Sequence, residues 1–243
     1  MSQTPESIAR DFDRIAGLPH DPWDHNRLYH AVLLRELPAR TGEILEIGCG
    51  TGELTTKLAQ RSQRVLALDL SPAMLAAART RCAAQPHVEL RLADALTCEL
   101  PRAGFDVVAT IATLHHLPLE PMFARVRDAL RPGGVFLALD VTLERSAAGA
   151  LGSAVAVPLN LLGRLRATGR LRPPPEVRAA WQAHVASDRF PPLAEVRRAA
   201  AALLPGARLR RHLYWRYSLV WRKPGQSEMP AARRAFALAR SRS

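Results

Sequence analysis

The stretch Leu45-Glu46-Ile47-Gly48-Cys49-Gly50-Thr51-Gly52 decides how this chain is read. A short apolar run over residues 43–47 ends in three alternating glycines, and Leu54, Leu58 and Ala59 then recur at helical spacing over residues 53–61. A strand that turns through glycines into a helix brings free N–H groups and the positive end of the helix dipole up to a ligand. A dinucleotide fingerprint would need its third glycine where Glu53 stands. A negative side chain in the first helical turn repels a pyrophosphate and suits a zwitterionic amino-acid tail.

Outward from this loop the pattern repeats. Residues 64–69 form a second strand, and Ser71-Pro72 supplies an N-cap with proline at the first helical position for a helix to about residue 84. Strands follow at 88–92, 105–111 and 135–141, the last two separated by a helix over 119–130 that Arg131-Pro132-Gly133-Gly134 closes. Strands alternating with helices predict an α/β domain with a parallel sheet. Residues 146–192 carry Pro158, Pro173-Pro174-Pro175 and Pro191-Pro192, too much proline for one continuous core element. Helical spacing returns at 193–204, and β-rich runs at 207–214 and 217–222 are close enough to pair antiparallel. The tail after Pro224 is basic, with a short helix expected at 231–240. The expected organisation is a helical cap at 1–40, a catalytic domain at 41–224 with a lid insertion at 146–192, and a basic tail at 225–243.

Two acids fall at the ends of later strands. Asp69 lies 21 positions after Gly48, where a carboxylate can hold a ribose hydroxyl pair, and Asp94 is placed to accept from an adenine amino group. Either acid alone reads equally well as a solvated strand end or a helix cap. With the glycine loop they make three marks in order at the carboxyl ends of successive strands, which is a nucleoside site.

On these residues the chain resembles the class I, Rossmann-like S-adenosylmethionine-dependent methyltransferases, in the group that includes ubiquinone/menaquinone-type and other small-molecule enzymes. The resemblance covers about residues 43–141: LEIGCGTG, ALDLS, ADAL, FDVVATIATLHHLP and LRPGGVF. It implies a three-layer fold around a seven-stranded, mostly parallel sheet with its last strand reversed. It implies S-adenosyl-L-methionine as cofactor, with Glu46, Gly48, Gly50 and Gly52 around the methionine portion, Asp69 and Leu70 at the ribose, Asp94 and Ala95 at the adenine, and Ile111 near the sulfonium. It says little about the acceptor.

Methyl transfer from a sulfonium is an in-line displacement on an activated carbon, so positioning supplies much of the rate and a strong base is optional. His115 and His116, just past the fourth strand, are the candidate bases, since an imidazole suits a proton transfer near neutrality. One of the pair packing structurally is an equal reading, and spacing does not choose between them. His25, Asn26 and Tyr29, in the polar-aromatic run 23–30, are candidate acceptor-binding residues of the cap; an amphipathic helix with Trp23 and Tyr29 in the core is the alternative. Trp181, His184 and Asp188 share a helical face, read as packing more readily than as pocket lining. Trp215, Arg216, Tyr217 and Trp221 read as packing residues of the terminal strands.

Of the 243 residues, 48% are hydrophobic and 23% charged, values of a globular chain with room for one large domain. The net charge of +12 is uneven: residues 1–40 and 41–145 each sum to −1, and residues 146–243 to +14. Arginine dominates it, Lys57 and Lys223 being the two lysines, a bias that GC-rich coding also produces. A basic rear half leaves a polyanion or membrane surface open as a partner, and an RNA-modifying methyltransferase is one alternative function. No RNA-binding module accompanies it, which argues against nucleic acid. A cofactor-binding protein without methyl transfer is a further alternative. Cys49, Cys82 and Cys98 make neither a metal-ligand spacing nor a disulfide framework, so no metal and a reducing cytoplasm are expected. No signal peptide is expected either. The partner expected is a small-molecule acceptor, and the oligomeric state is not legible.

Overall fold

The computed structural model describes residues 4–19, 21–38, 41–143 and 147–225. The tail, with the helix expected at 231–240, lies outside the described residues. Two helices come first: α1 (Pro5–Ala16), opened by a capping box between Thr4 and Ser7, and α2 (His25–Leu34), capped by Asp24. The expected alternation follows as β1 (Thr41–Ile47), α3 (Glu53–Ala59), β2 (Ser62–Asp69), α4 (Pro72–Arg81), β3 (Val88–Leu92) and β4 (Phe105–Ile111). Ser71 caps α4 as expected, its Oγ accepting from Met74 N at 3.0 Å. A 3₁₀ turn (Leu114–His116), α5 (Leu119–Ala129) and β5 (Leu130–Val141) come next, then α6 (Ala147–Thr168), α7 (Pro175–Ser187), α8 (Leu193–Leu203), β6 (Arg208–His212) and β7 (Arg216–Arg222).

The strands form one seven-stranded sheet in the order β3-β2-β1-β4-β5-β7-β6. All neighbours are parallel except β7, which runs antiparallel to both β5 and β6. This is the Rossmann-like fold that the alternating pattern predicts. Strand order reverses between β1 and β4, and ligands of such sheets bind at the carboxyl ends beside that switch.

Apolar residues cover both faces. On one, Met122, Phe123 and Val126 of α5 and Val196 of α8 pack on Phe136, Val108 and Tyr217. On the other, Leu33 of α2, Leu54 and Leu58 of α3 and Leu75 of α4 pack on Ile44, Val65, Val107 and Leu137. Each such side chain, withdrawn fully from water, contributes about 1.5–3 kcal/mol.

Two expectations change in detail. β5 starts at Leu130, so the Arg131–Gly134 turn is a register irregularity at the head of a 12-residue strand, between Phe105 and Val107 of its neighbour. Residues 146–192 hold two helices in place of a broken connection, and α6 runs 22 residues through Pro158. The ring of Pro158 lies on the exposed side of α6, so the helix passes it with the loss of one backbone donor.

Candidate active site

The glycine loop leaves β1 with Gly48, Gly50 and Gly52 all at positive φ, +71°, +53° and +81°. Gly48 N and Cys49 N both donate to Leu68 O, at 2.9 and 3.0 Å, which ties the loop to β2. A Cβ on Gly48 would stand 2.2 Å from Thr113 Oγ1, whereas one on Gly50 would meet nothing within 4 Å. The loop is therefore packed shut at its first glycine and open to a ligand at its second.

Asp69 closes β2 beside it. Gly50 N donates to its Oδ2 at 2.7 Å and Ser71 N to its Oδ1 at 2.9 Å. Burial raises the pKa of this carboxyl, and the N–H donors of Ser71, Gly50 and Leu70 pull it back. Glu46 sits below the loop, 2% exposed. Burial pushes its carboxyl up to about 8, and its Oε2 has no hydrogen-bond partner among the described residues. Past β3, Asp94 Oδ1 accepts from Leu96 N at 2.8 Å, with Ala95 buried next to it. Ile111 ends β4, and Ala112 after it holds φ at +51°, a left-handed conformation that a residue with a side chain adopts at a cost. The candidate cofactor residues thus converge on the carboxyl ends of β1 to β4.

The histidine pair adjoins them. His115 Nδ1 lies 2.6 Å from Asp140 Oδ1, and His115 N donates to Asp140 Oδ2 at 2.7 Å. Asp188, just past α7, receives three imidazoles at longer range: His115 Nε2 at 3.7 Å, His116 Nδ1 at 3.5 Å and His184 Nε2 at 3.4 Å. Burial alone would lower the pKa of His115, but Asp140 and Asp188 outweigh it and lift it to about 9. Burial, together with the charge of His115, drives His116 down to about 3. One imidazole is then cationic at neutral pH and its neighbour neutral. Phe190 stacks on His115, and Phe12 of α1 meets the rings of both His116 and His184 edge-on. His115, His116 and Asp188 each offer one ligand atom within 4.8 Å of the others, a donor set that suits a divalent transition metal in kind and spacing.

His25, Asn26 and Tyr29 make contacts with α6 and the β6–β7 segment. His25 Nε2 lies 2.8 Å from Asn160 Oδ1 of α6, Asn26 Oδ1 accepts from Arg216 Nε, and Tyr29 OH donates to Leu213 O. His25 also stacks on Tyr214, with centroids 4.5 Å apart. These three residues bind α2 to α6 and to the β6–β7 turn. Trp215 and Trp221 pack as expected, their indole N–H groups donating to Ser153 Oγ and Pro205 O.

Sequence reasoning missed the contribution of α1. Asp13 Oδ1 accepts from Ser71 Oγ at 2.5 Å and from Ala73 N at 3.1 Å, while Asp11 Oδ2 lies 3.5 Å from His184 Nδ1. One helix thereby touches both the Asp69 turn and the histidine cluster. The alternating acids Asp11 and Asp13 around Phe12 were the available signal. Glu53, read from sequence as a negative side chain in the first helical turn, is paired with Arg27 and stands 3.7 Å from Arg81.

Residues 44–134 match the methyltransferase domain family. The chain is 35% identical over 207 residues to an uncharacterized methyltransferase of Mycobacterium tuberculosis, an alignment spanning 84% of this chain and 98% of that one. It is 31% identical over 170 residues to 27-O-demethylrifamycin SV methyltransferase of Amycolatopsis mediterranei, covering 60% and 62% of the two chains. Among solved structures, N-methyltransferase NodS from Bradyrhizobium japonicum WM9, in complex with S-adenosyl-L-homocysteine, superposes with a TM-score of 0.60 at 17% identity, over 89% of this chain and 98% of NodS. The protein belongs to the class I S-adenosylmethionine-dependent methyltransferases. It is an enzyme of that class, and its cofactor is S-adenosyl-L-methionine.

Proposed function

We propose that this enzyme methylates an oxygen, a hydroxyl or phenol, of a small amphipathic acceptor bound between the end of β4 and α7. The observation that carries the reading is His116, buried and held neutral beside a cationic His115 that Asp140 fixes in place. The relative named 27-O-demethylrifamycin SV methyltransferase supports the choice of oxygen.

The cofactor residues fit the group they are assigned. The orphaned Glu46 Oε2 would accept from the ammonium of the methionine portion, and the clear side of Gly50 would admit its approach. Gly48 and Gly52 shape the loop. Asp69 and Leu70 would hold the ribose, Asp94 and Ala95 the adenine, and Ile111 would lie on the methyl side. Bound S-adenosylmethionine supplies a methyl group on a sulfonium, already activated toward in-line displacement. His116 has Nδ1 turned to Asp188, so Nε2 takes the acceptor's proton as the new bond forms. Asp188 then balances the imidazolium, against the charge of His115. His115 and His116 are 5% and 4% exposed at their side chains, so the acceptor enters by displacement of α7, within the 146–192 lid.

The test is a one-methyl mass gain across a panel of phenols, alcohols and amines, run with wild type and His116→Ala. Gain on hydroxyl compounds, lost in the variant while affinity for S-adenosylhomocysteine is kept, supports the reading. Gain confined to amines, or turnover unchanged in His116→Ala, rejects it.

A further inference from the structure

The polarity of α6 is reversed. Its inward stripe is polar or small: Ser153 Oγ accepts from Trp215, Asn160 Oδ1 accepts from Trp23 Nε1 at 2.7 Å and faces His25, and Arg164 donates to Asp21 at 2.8 Å. Gly163 belongs to the same stripe, since a Cβ there would stand 2.0 Å from the Trp23 ring. The outward side carries Val155, Val157, Leu159, Leu161, Leu162 and Leu165, each between 39 and 48% exposed. At 100° per residue these positions sweep roughly 200° of the helix. Scattered exposed leucines need no explanation, but six on one helix whose polar groups are turned inward form a continuous patch that asks for a covering.

Charge says what covers it. No Asp or Glu occurs from residue 145 to residue 175. Arg166 shares the stripe of Val155, Leu159 and Leu162, and Arg170 and Arg172 follow within two turns; all three are exposed, and none forms a salt bridge to a described acid. An apolar arc bordered by unpaired arginines has the chemistry of a helix lying in the interface of an anionic bilayer, side chains down into the acyl boundary and guanidinium groups among the lipid phosphates. No described helix is long and apolar enough to cross a membrane, and the inward hydrogen bonds of α6 hold it flat against the body of the protein.

The geometry points to α6 as a membrane-docking helix that seats the protein on anionic lipid. Its base at Asn160 and Ser153 joins α2 and the β6–β7 turn, so a docked α6 places that side of the fold next to the lipid. The docking stands independently of which atom is methylated.

The experiment is flotation of the full chain with vesicles of phosphatidylcholine alone and of phosphatidylcholine with a third phosphatidylglycerol. Three arginines predict partitioning on the order of 100-fold tighter to the anionic vesicles. Molar salt should weaken it steeply. The double variant Leu162→Glu, Leu165→Glu should lose flotation while binding S-adenosylhomocysteine like wild type, which shows it is folded. Arg166→Ala with Arg170→Ala should bring anionic binding down toward the neutral level. Absence of flotation, or flotation indifferent to the leucine variant, overturns the proposal. A concentration-dependent dimer abolished by the leucine variant assigns the face to a second copy and overturns it equally.

Discussion

His115 is bound twice to Asp140, through Nδ1 at 2.6 Å and through its backbone N at 2.7 Å, one contact to each carboxylate oxygen. Asp140 is wholly buried at the end of β5, so ring and main chain are fixed by a group that cannot itself move. Asp140→Asn keeps the shape and removes the charge. It should lower turnover by about 10²-fold or more, as when the carboxylate partner of a catalytic imidazole is lost. Affinity for S-adenosylhomocysteine should stay within about two-fold of wild type. Stability gives a second readout. The folded pKa of His115 is raised to about 9, so the stabilisation is fully present below its unfolded value and is lost as pH rises through about 9. Wild-type melting temperature should therefore fall between pH 7 and 9.5, and that of the variant should fall less across the same window, since Asp188 remains.

His116 titrates far below neutrality, at about 3. As the proposed base it is unprotonated over the whole working range, though weak, so turnover should show no acid limb above about pH 5. His116→Ala should cost about 10²–10⁴ in turnover with little change in cofactor affinity. Because His115, His116 and Asp188 could also share an ion, the rate should be measured after exhaustive chelation. A rate unchanged by the chelator agrees with proton transfer; a rate restored by one added divalent ion would transfer the cluster to metal chemistry.

Glu46 predicts a proton signal on cofactor binding. Burial holds its carboxyl neutral below about pH 8, and the ammonium of the methionine portion favours the ionised form. Binding at pH 7 should then release up to one proton, seen as a dependence of the calorimetric enthalpy on buffer ionisation. Affinity should climb from pH 6 to 8 as the carboxyl becomes easier to ionise. Glu46→Gln should bind more weakly and abolish the proton release. A wild-type enthalpy indifferent to buffer would mean that Glu46 does not meet the ammonium.

The proposed cofactor half of the site is legible in the sequence because its residues are tied to the chain's own turns. Gly48, Gly50, Asp69 and Asp94 each follow a strand directly, and the strand pattern fixes where they lie. The proposed acceptor half is assembled from distant segments. Asp11 and Phe12 come from α1, His115 and His116 from the turn after β4, and His184 and Asp188 from α7. No local periodicity links residues 11, 116 and 188. Asp140 was hidden differently: it ends an apolar strand, where an acid reads as the start of a loop, and only the fold shows it buried against His115. His25, Asn26 and Tyr29 were assigned by place in the chain, and the structure shows the helix and turn that they tie together. Proline counting understated α6, because a proline on the outer side of a long helix removes a single hydrogen bond.

Gly48 and Gly50 separate folding from binding. Both hold positive φ, +71° and +53°, so a Cβ at either costs about 1 kcal/mol in backbone strain. At Gly48 the added methyl also runs into Thr113, whose Oγ1 and Cγ2 would lie 2.2 and 2.7 Å away. Thr113 is not free to yield cheaply, since its Oγ1 bonds to Ile111 O at 3.0 Å. Gly48→Ala should therefore destabilise the apoprotein by about 2–4 kcal/mol, strain and overpacking together. At Gly50 the methyl meets nothing, and Gly50→Ala should cost only about 1 kcal/mol. We propose that space for the cofactor, so the same variant should lose at least about ten-fold in affinity for S-adenosylhomocysteine, as expected where a methyl blocks close backbone approach. Thermal melts and calorimetric titrations of the two variants check the pair. A Gly50→Ala protein that binds normally would move the cofactor away from this loop, whatever the fate of Gly48→Ala.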